Sequence, residues 1–178
     1  MVTIRRPLDS VRLEQLALAY VARFATSAAK LDGYLRRKLR ERGWAGEAEA
    51  PVAALVAKFV AAGFVDDEAF ARSRSAGLLR RGYGQRRIAQ ALGAAGIVGE
   101  VREAVRAGES ELRLAALALA RKRRFGPYGA AVTDRAAREK QVAAMLRAGH
   151  PLDSARELVD APSIAAAEEW AAGADEVE

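Results

Sequence analysis

Apolar residues recur along this chain at intervals of three and four positions, which places them on one side of an α-helix. The first such stripe comprises Leu13, Leu16, Ala17, Tyr20 and Phe24. No segment shows the alternation of apolar and polar residues that is typical of a half-buried strand. Because Ala and Leu are abundant and Pro is scarce, the pattern predicts an all-α protein.

The same spacing predicts two further helices before residue 64. Leu35 and Leu39 lie on a second helix that follows Ser27. Pro51 stands where a third helix would begin, since its fixed φ suits the first turn, and Gly63 ends that helix. The broad apolar face of the third helix contains Val52, Leu55, Val56, Phe59 and Val60.

A motif of three positions recurs along the chain at a constant interval. Its three copies are Leu39, Gly43 and Trp44, then Leu92, Gly96 and Ile97, and then Met145, Gly149 and His150. In each copy a helix ends on the glycine, which adopts the left-handed backbone common at helix C-termini. Each of these helices is preceded by another helix, at residues 12–25, 67–81 and 110–124. Each is also followed by a further helix, at about residues 51–63, 98–107 and 153–160.

These recurrences predict three tandem three-helix repeats in an elongated, solenoid-like array, because each repeat buries its apolar residues against the next. Chance similarity among Ala- and Leu-rich helices is the alternative. We delimit a tail, three repeats and an acidic tail as residues 1–9, 10–64, 65–108, 109–162 and 163–178. A loop at 125–133 and a frayed helix with a disordered end at 163–178 are also predicted.

Charge is distributed unevenly along the 178 residues. The chain contains 29 Lys and Arg against 23 Asp and Glu, a net charge of +6. Residues 151–178 hold eight acids and one base, so this segment carries −7 and the rest of the chain +13. A basic body predicts an anionic partner, of which nucleic acid is the first candidate. Arginines that simply solvate a helical surface are the alternative.

Several kinds of site are excluded by composition. The chain has no Cys, and its single His150 cannot form a histidine metal site or a Ser-His-Asp triad. Gly82 and Gly84 lack the third glycine and the strand of a dinucleotide site, and no Walker loop or nucleophile elbow is present. We therefore expect no enzyme activity and no cofactor. No apolar run reaches the ~20 residues of a membrane span, and residues 1–10 lack the apolar core of a signal peptide, so we expect a cytoplasmic protein.

The segment at residues 65–97 combines capping, turn and charge signals. Asp66 and Asp67 stand where a helix N-terminus needs acceptors for its free N–H groups. Gly82 and Gly84 bracket a turn, as residues that tolerate positive φ do. The next helix opens on Arg86 and Arg87, whose charges oppose its dipole at a cost of about 0.3–1 kcal/mol. An anionic partner would compensate that cost, and solvation of both side chains is the alternative.

Basic residues form three clusters, one in each predicted repeat, that together could line one groove. Cations also suit helix C-termini, which accounts for the third cluster without any partner. The candidate anion-binding residues are Arg36, Arg37, Lys38 and Arg40 in the first repeat, Arg72, Arg80, Arg81, Tyr83, Arg86 and Arg87 in the second, and Lys122, Arg123 and Arg124 in the third.

Two parts of the sequence resemble a known family. Residues 64–73 (FVDDEAFARS) and 80–88 (RRGYGQRRI), followed by Leu92, Gly96 and Ile97, resemble the central signature of the RecX family, small bacterial regulators of the RecA recombinase. Residues 34–44 (YLRRKLRERGW) are similar to the opening repeat of that family. The resemblance extends over about residues 10–160, and the long, ordered central motif makes it specific.

The resemblance implies an all-helical fold of three three-helix repeats. It also implies binding in the helical groove of the RecA–DNA filament and inhibition of the ATPase, strand-exchange and coprotease activities of RecA. That would place the protein in DNA repair, recombination and the SOS response. No enzymatic activity and no cofactor are implied. The candidate residues above then become candidates for contact with RecA or DNA.

The sequence departs from the family pattern in three places. Gln85 stands where proline is common, so the helix that follows lacks a preorganised start. Ala148 and His150 replace aromatic and basic residues that are often found in the third repeat. The acidic end, residues 163–178, lies outside the pattern.

Three functional hypotheses follow. The first is a monomeric modulator of the RecA filament that binds single- and double-stranded DNA weakly and without sequence preference. The second is a helix-turn-helix regulator formed by residues 67–95, in which Arg86 and Arg87 open the recognition helix. The third is a helical-repeat scaffold for an acidic protein. A modulator acts on RecA–DNA far more than on bare duplex, a regulator prefers one duplex sequence, and a scaffold ignores nucleic acid.

Overall fold

The computed structural model describes residues 6–130 and 134–173, and its regular elements there are helices, beside one isolated bridge between Leu8 and Trp44. The fold class is therefore all-α, as the sequence predicts. A short 3-10 helix spans Gly126–Tyr128. The α-helices are α1 (Ser10–Val21), α2 (Ala28–Arg42), α3 (Val52–Ala61), α4 (Asp67–Leu79), α5 (Gln85–Ala94), α6 (Gly99–Ala104), α7 (Glu109–Arg123), α8 (Arg135–Arg147), α9 (Leu152–Val159) and α10 (Ile164–Ala172).

The first nine α-helices correspond in order and position to the nine helices predicted for three repeats. The middle helix of each trio is followed by a glycine with positive φ, at Gly43 (81°), Gly96 (73°) and Gly149 (98°). Glycine is favoured there because it adopts this backbone without a steric penalty. The predicted helix ends are thus confirmed at all three copies of the motif.

The chain divides into two compact units that cut across the repeat boundaries. Among the described residues, the N-terminal unit comprises 6–71 and 94–101, and the C-terminal unit comprises 72–93, 102–130 and 134–173. The predicted second repeat, residues 65–108, contributes to both units. The repeat boundaries themselves stay a prediction.

Helices α1, α2 and α3 form the core of the N-terminal unit. Its fully buried side chains include Leu13, Leu31 and Leu35. Residues 1–9 are not simply a tail, because Leu8 is fully buried and its N–H donates to the Gly43 carbonyl at 2.9 Å. Residues 1–5 lie outside the described part of the chain.

Capping contacts tie α2 to its surroundings within this unit. The hydroxyl of Ser27 donates to the Ala95 carbonyl at 2.5 Å and also accepts from the Lys30 N–H. Asp66 caps α4, as predicted, by accepting from the Ala69 N–H at 2.9 Å. Asp67, the first residue of α4, acts instead on another helix, because its carboxylate accepts from the Ala28 N–H at 2.8 Å and so satisfies a free donor at the start of α2.

Helices α7, α8, α9 and α10 pack together in the C-terminal unit. Their buried side chains are Ala116, Leu117, Leu119, Ala120, Val142, Met145, Ala148, Ala155, Leu158, Val159, Ala167 and Ala171. Phe125 and Tyr128 pack against this core from the predicted loop, which contains the 3-10 helix. Residues 131–133 of that loop lie outside the described chain.

The expected fraying after residue 162 is wrong for α10. Ser163 caps this helix by accepting from the Ala166 N–H at 3.1 Å. Ala167 and Ala171, four positions apart, are buried in the core, while Glu168 pairs with Arg121 of α7. Small residues on one face and acids on the other thus make α10 part of the unit. Residues 174–178 lie outside the described chain. Among the described residues, no helix is both long enough and apolar enough to cross a bilayer.

Candidate functional site

The turn at Gly82, Tyr83 and Gly84 is clamped by α7 and α8. Gly82 has a positive φ of 84°, and a Cβ there would lie 2.9 Å from that of Leu119. A Cβ on Gly84 would lie 2.5 Å from the carbonyl carbon and oxygen of Gly149. The predicted positive φ is therefore confirmed for Gly82 alone, whereas Gly84 is required by the close approach of another backbone.

The N-terminus of α5 meets the C-terminus of α8. The Gly84 N–H donates to the Ala148 carbonyl at 3.0 Å, and the Arg86 N–H donates to the Gly149 carbonyl at 3.3 Å. The free donors of one helix end and the free acceptors of another thus satisfy each other. The positive end of the α5 dipole also faces the negative end of the α8 dipole.

This junction explains Arg86 without an external anion. Its guanidinium donates to the Leu146 carbonyl in the last turn of α8, where a positive charge is favourable. Compensation by an external partner or by solvent is therefore not required for Arg86, and its contact with a partner stays a prediction. The junction also counts against α5 as a recognition helix, because the first turn that would read bases is occupied by α8.

His150 also contacts this turn, at the carbonyl of Gly82. The side chain is buried, and its Nε2 lies 2.9 Å from the Gly82 carbonyl oxygen. Since a carbonyl only accepts, Nε2 must carry the proton for this hydrogen bond. Burial lowers the pKa of His150, although the bond to Gly82 opposes that shift. The family departure at His150 therefore stabilises the turn.

A cleft of about 550 Å³ opens beside the turn within the C-terminal unit. Of the residues that the structure describes, five cationic side chains and no acidic one line it. We call it the basic cleft, and its lining residues are Arg81, Tyr83, Arg87, Leu119, Lys122, Arg123, Phe125, Ala144, Arg147 and Ala148. Its volume falls within the ~300–1,000 Å³ of ordinary ligand sites.

The cations of the basic cleft are not neutralised by the described part of the chain. Arg81 donates to the Gly77 carbonyl at 2.9 Å and lies 6.0 Å from the Tyr83 ring, and no carboxylate of the described residues pairs with it. Arg87 and Arg147 are exposed and make no ion pair with any described residue. Five neighbouring positive charges repel one another, so a bound anion would lower the electrostatic energy of the cleft.

The α2 cluster of Arg36, Arg37, Lys38 and Arg40 is different. Asp32 lies 2.8 Å from Arg36 and, by its hydrogen bond and charge, raises the pKa of that guanidinium. Glu41 pairs with both Arg37 at 3.6 Å and Lys38 at 2.6 Å, and these two cations also lie over the Tyr34 ring. Three of the four predicted cations are therefore paired on their own helix.

The remaining candidates lie outside the basic cleft. Arg72 and Arg80 are exposed, on α4 and just after it. Arg124 ends α7 with a left-handed backbone, φ 55°, so its role there is to terminate the helix. Of the predicted residues, the structure brings together Arg81, Tyr83, Arg87, Lys122 and Arg123.

Sequence reasoning missed Arg147 and Phe125. Arg147 is a single base in the last turn of α8, a position that the helix dipole alone explains. Phe125 lies in a predicted loop. The repeat pattern could have indicated both residues. Arg147 ends α8 and Phe125 follows α7, and both helix ends lie beside the Gly82 turn.

Comparison with known proteins gives three findings. The family domain described as "RecX, second three-helix domain" matches residues 66–105. The "Regulatory protein RecX" of Myxococcus xanthus (strain DK1622) is 35% identical over 164 residues, which cover 87% of this chain and 88% of that protein. The crystal structure of RecX from Lactobacillus salivarius superposes with a TM-score of 0.66 at 17% identity, covering 84% of this chain and 94% of that one. This last likeness concerns the fold alone.

Proposed function

The chain belongs to the RecX family of regulatory proteins, and on that premise we propose that it binds the RecA–DNA filament and modulates RecA. The main effect is inhibition of the RecA ATPase, and with it of strand exchange and coprotease activity. The protein thereby acts in DNA repair, recombination and the SOS response in the cytoplasm. It works by binding, as a monomer, with no catalytic step and no cofactor.

The observation that supports this proposal is the basic cleft. A filament presents phosphates and carboxylates, and charge-assisted hydrogen bonds from guanidinium groups suit both. Arg81 and Arg87 flank the Gly82 turn, and Arg147 faces them from α8 with no acid of the described chain lining the cleft. The signature that resembles the family therefore carries two of the five cations of the basic cleft.

Binding to bare DNA is weak and does not depend on sequence in this proposal. The +13 of residues 1–150 supplies attraction to any phosphate backbone. No surface constellation of Asn, Gln and Arg offers the paired donors and acceptors that read base edges. Specificity for the filament therefore comes from RecA and DNA contacts made together.

The direct test is the single-stranded-DNA-dependent ATPase of RecA, titrated with this protein. We expect the rate to fall at substoichiometric or near-stoichiometric amounts. An unchanged rate at a large excess over RecA would refute the proposal. Measuring the same titration with a bare-duplex competitor separates filament binding from non-specific capture of DNA, because only the latter is relieved by the competitor.

A further inference from the structure

The cations at the ends of α7 and α8 in the basic cleft are not needed to satisfy the carbonyls of those helix ends. The last carbonyls of α8 are already satisfied by donors of α5, including the guanidinium of Arg86. At the end of α7 the Phe125 N–H donates to the Ala120 carbonyl at 2.9 Å, and the Arg124 N–H donates to the Arg121 carbonyl. The side chains of Lys122, Arg123 and Arg147 donate no hydrogen bond to a helix end among the described residues, so they remain available to a ligand.

Neighbouring cations of the same unit are treated differently. Arg121 directly precedes Lys122, yet it pairs with Glu168 and lies 5.6 Å from the Tyr128 ring, which together raise its pKa. Arg138 on α8 pairs with Asp160. Within the described residues, the C-terminal unit thus supplies acids to these cations outside the basic cleft and none to the five inside it.

An aromatic ring borders these charges. Tyr83 is half-buried, packs against the core of the C-terminal unit and also lines the basic cleft. Its backbone is fixed, because its N–H donates to the Leu78 carbonyl at 3.1 Å and the glycines on both sides are clamped. An aromatic ring on a fixed backbone beside several cations is a combination that binds a base by stacking and its phosphates by charge.

From this arrangement we infer that the basic cleft binds single-stranded nucleic acid, with phosphates on Arg87, Arg147 and their cationic neighbours and one base against Tyr83. The inference rests on the proposed function in that the strand is the DNA of the RecA filament. A duplex keeps its bases paired and stacked, so none is free to reach the ring. An acidic peptide offers carboxylates for the cations, but it has no flat ring to stack on Tyr83.

The test is the affinity for a short labelled oligothymidine and for a duplex of equal length, measured by fluorescence anisotropy at several salt concentrations. The variant Arg87→Ala/Arg147→Ala removes two exposed cations from the basic cleft. We expect single-strand affinity to fall about tenfold and the salt slope to decrease by about 1.4, from ~0.7 per phosphate contact. The second variant, Lys122→Ala/Arg123→Ala, should behave alike.

Matched controls separate the site from general charge. Arg23→Ala/Arg156→Ala removes two exposed cations that line no part of the cleft, and we expect a change of no more than about twofold. Tyr83→Leu should weaken single-strand binding by roughly fivefold or more, whereas Tyr83→Phe keeps the ring and should bind as the parent does.

Each of the following outcomes would overturn the inference. The first is equal loss of affinity in the cleft and control variants. The second is a Tyr83→Leu variant that still binds the single strand as the parent does. The third is stronger competition by poly-glutamate than by oligothymidine, which would assign the cleft to an acidic protein segment. Inhibition of RecA by a parent protein whose cleft variants bind oligothymidine normally would refute only the inference. A cleft that binds oligothymidine in a protein without effect on RecA would refute only the proposed function.

Discussion

The α2 cluster and the basic cleft contain the same kinds of residue and differ in what surrounds them. On α2 the acids Asp32 and Glu41 stand three or four positions from the cations, so they pair with Arg36, Arg37 and Lys38 along one helix. In the basic cleft the cations come from segments far apart in sequence, and no acid among residues 6–130 and 134–173 reaches them. A dense run of Arg and Lys is therefore a poor guide to a free anion site.

What distinguishes the cleft is the junction that assembles it. Helices α5 and α8 meet end to end at Gly84 and Gly149, and this contact brings Arg87 beside Arg147. The α2 cluster needs no such contact, since one helix holds all its members. Disturbing tertiary packing should therefore remove the cleft and leave the α2 cluster unchanged.

The largest expected effect is that of Gly84→Ala. The new Cβ would lie 2.5 Å from backbone atoms of Gly149, which cannot move as a flexible side chain does. We expect a loss of about 2–3 kcal/mol in the free energy of unfolding, measured by urea denaturation. The matched control is Gly33→Ala on α2, where a Cβ meets no atom within 4 Å. That variant should be more stable by about 0.5–1 kcal/mol. Equal stability of the two variants would contradict the role of the junction.

Most of the fold could be predicted from the sequence because helices are indicated by local sequence patterns. Apolar spacing and the glycines at helix C-termini predicted nine helices, and Asp66 indicated the start of α4. The tenth helix was predicted only as a frayed one, because a run of alanines and acids resembles a disordered end. Its stability depends instead on burial of Ala167 and Ala171, a tertiary effect that no local pattern contains.

The candidate site could be predicted from the sequence only in part, for a related reason. Arg81 and Arg87 were found by their place beside the turn, and Lys122 and Arg123 by their clustering. Contacts between helices determine which cations remain unpaired. They also determine that Arg86 bonds to the end of α8 whereas Arg87 lines the basic cleft. Arg147 offered no cluster of its own, so sequence reasoning had no cause to select it.

The turn of the cleft should also sense pH through His150, the single histidine of the chain. Burial lowers its pKa in the folded state below the usual 6.5, so the unfolded chain binds a proton first as pH falls. Its contribution to stability is complete above about pH 6.5 and is lost progressively as pH falls below that value, at up to about 1.4 kcal/mol per pH unit. Urea unfolding between about pH 7.5 and 5.5 measures this, and His150→Gln should flatten the dependence. An identical pH profile for the two proteins would show that His150 is not responsible.

Arg86 and Arg87 should separate in their effects, although they are adjacent. Arg86→Ala removes the donor to the Leu146 carbonyl, and we expect a loss of about 1 kcal/mol in urea unfolding. Arg87→Ala removes a side chain with no partner among the described residues, so stability should stay within about 0.5 kcal/mol of the parent. Inhibition of RecA should respond in the opposite order. Equal loss of stability in both variants would mean that Arg87 also supports the junction.

The smallest effect tests the comparison most directly, by making the α2 cluster resemble the cleft. Asp32→Asn/Glu41→Gln leaves Arg36, Arg37 and Lys38 without their acids. The pairs are exposed, so the melting temperature should fall by only ~2 °C. Oligothymidine affinity should rise about two- to threefold, because three cations become available to phosphate.

The control for this variant removes two acids that pair with nothing in the described chain. Glu157→Gln/Glu169→Gln changes the net charge equally but frees no cation. Its affinity should therefore rise less than that of Asp32→Asn/Glu41→Gln, and the difference should shrink as salt screens the long-range term. If the two variants gain equally, pairing by Asp32 and Glu41 is not what distinguishes α2 from the cleft, and the shape of the cleft together with Tyr83 must account for the difference.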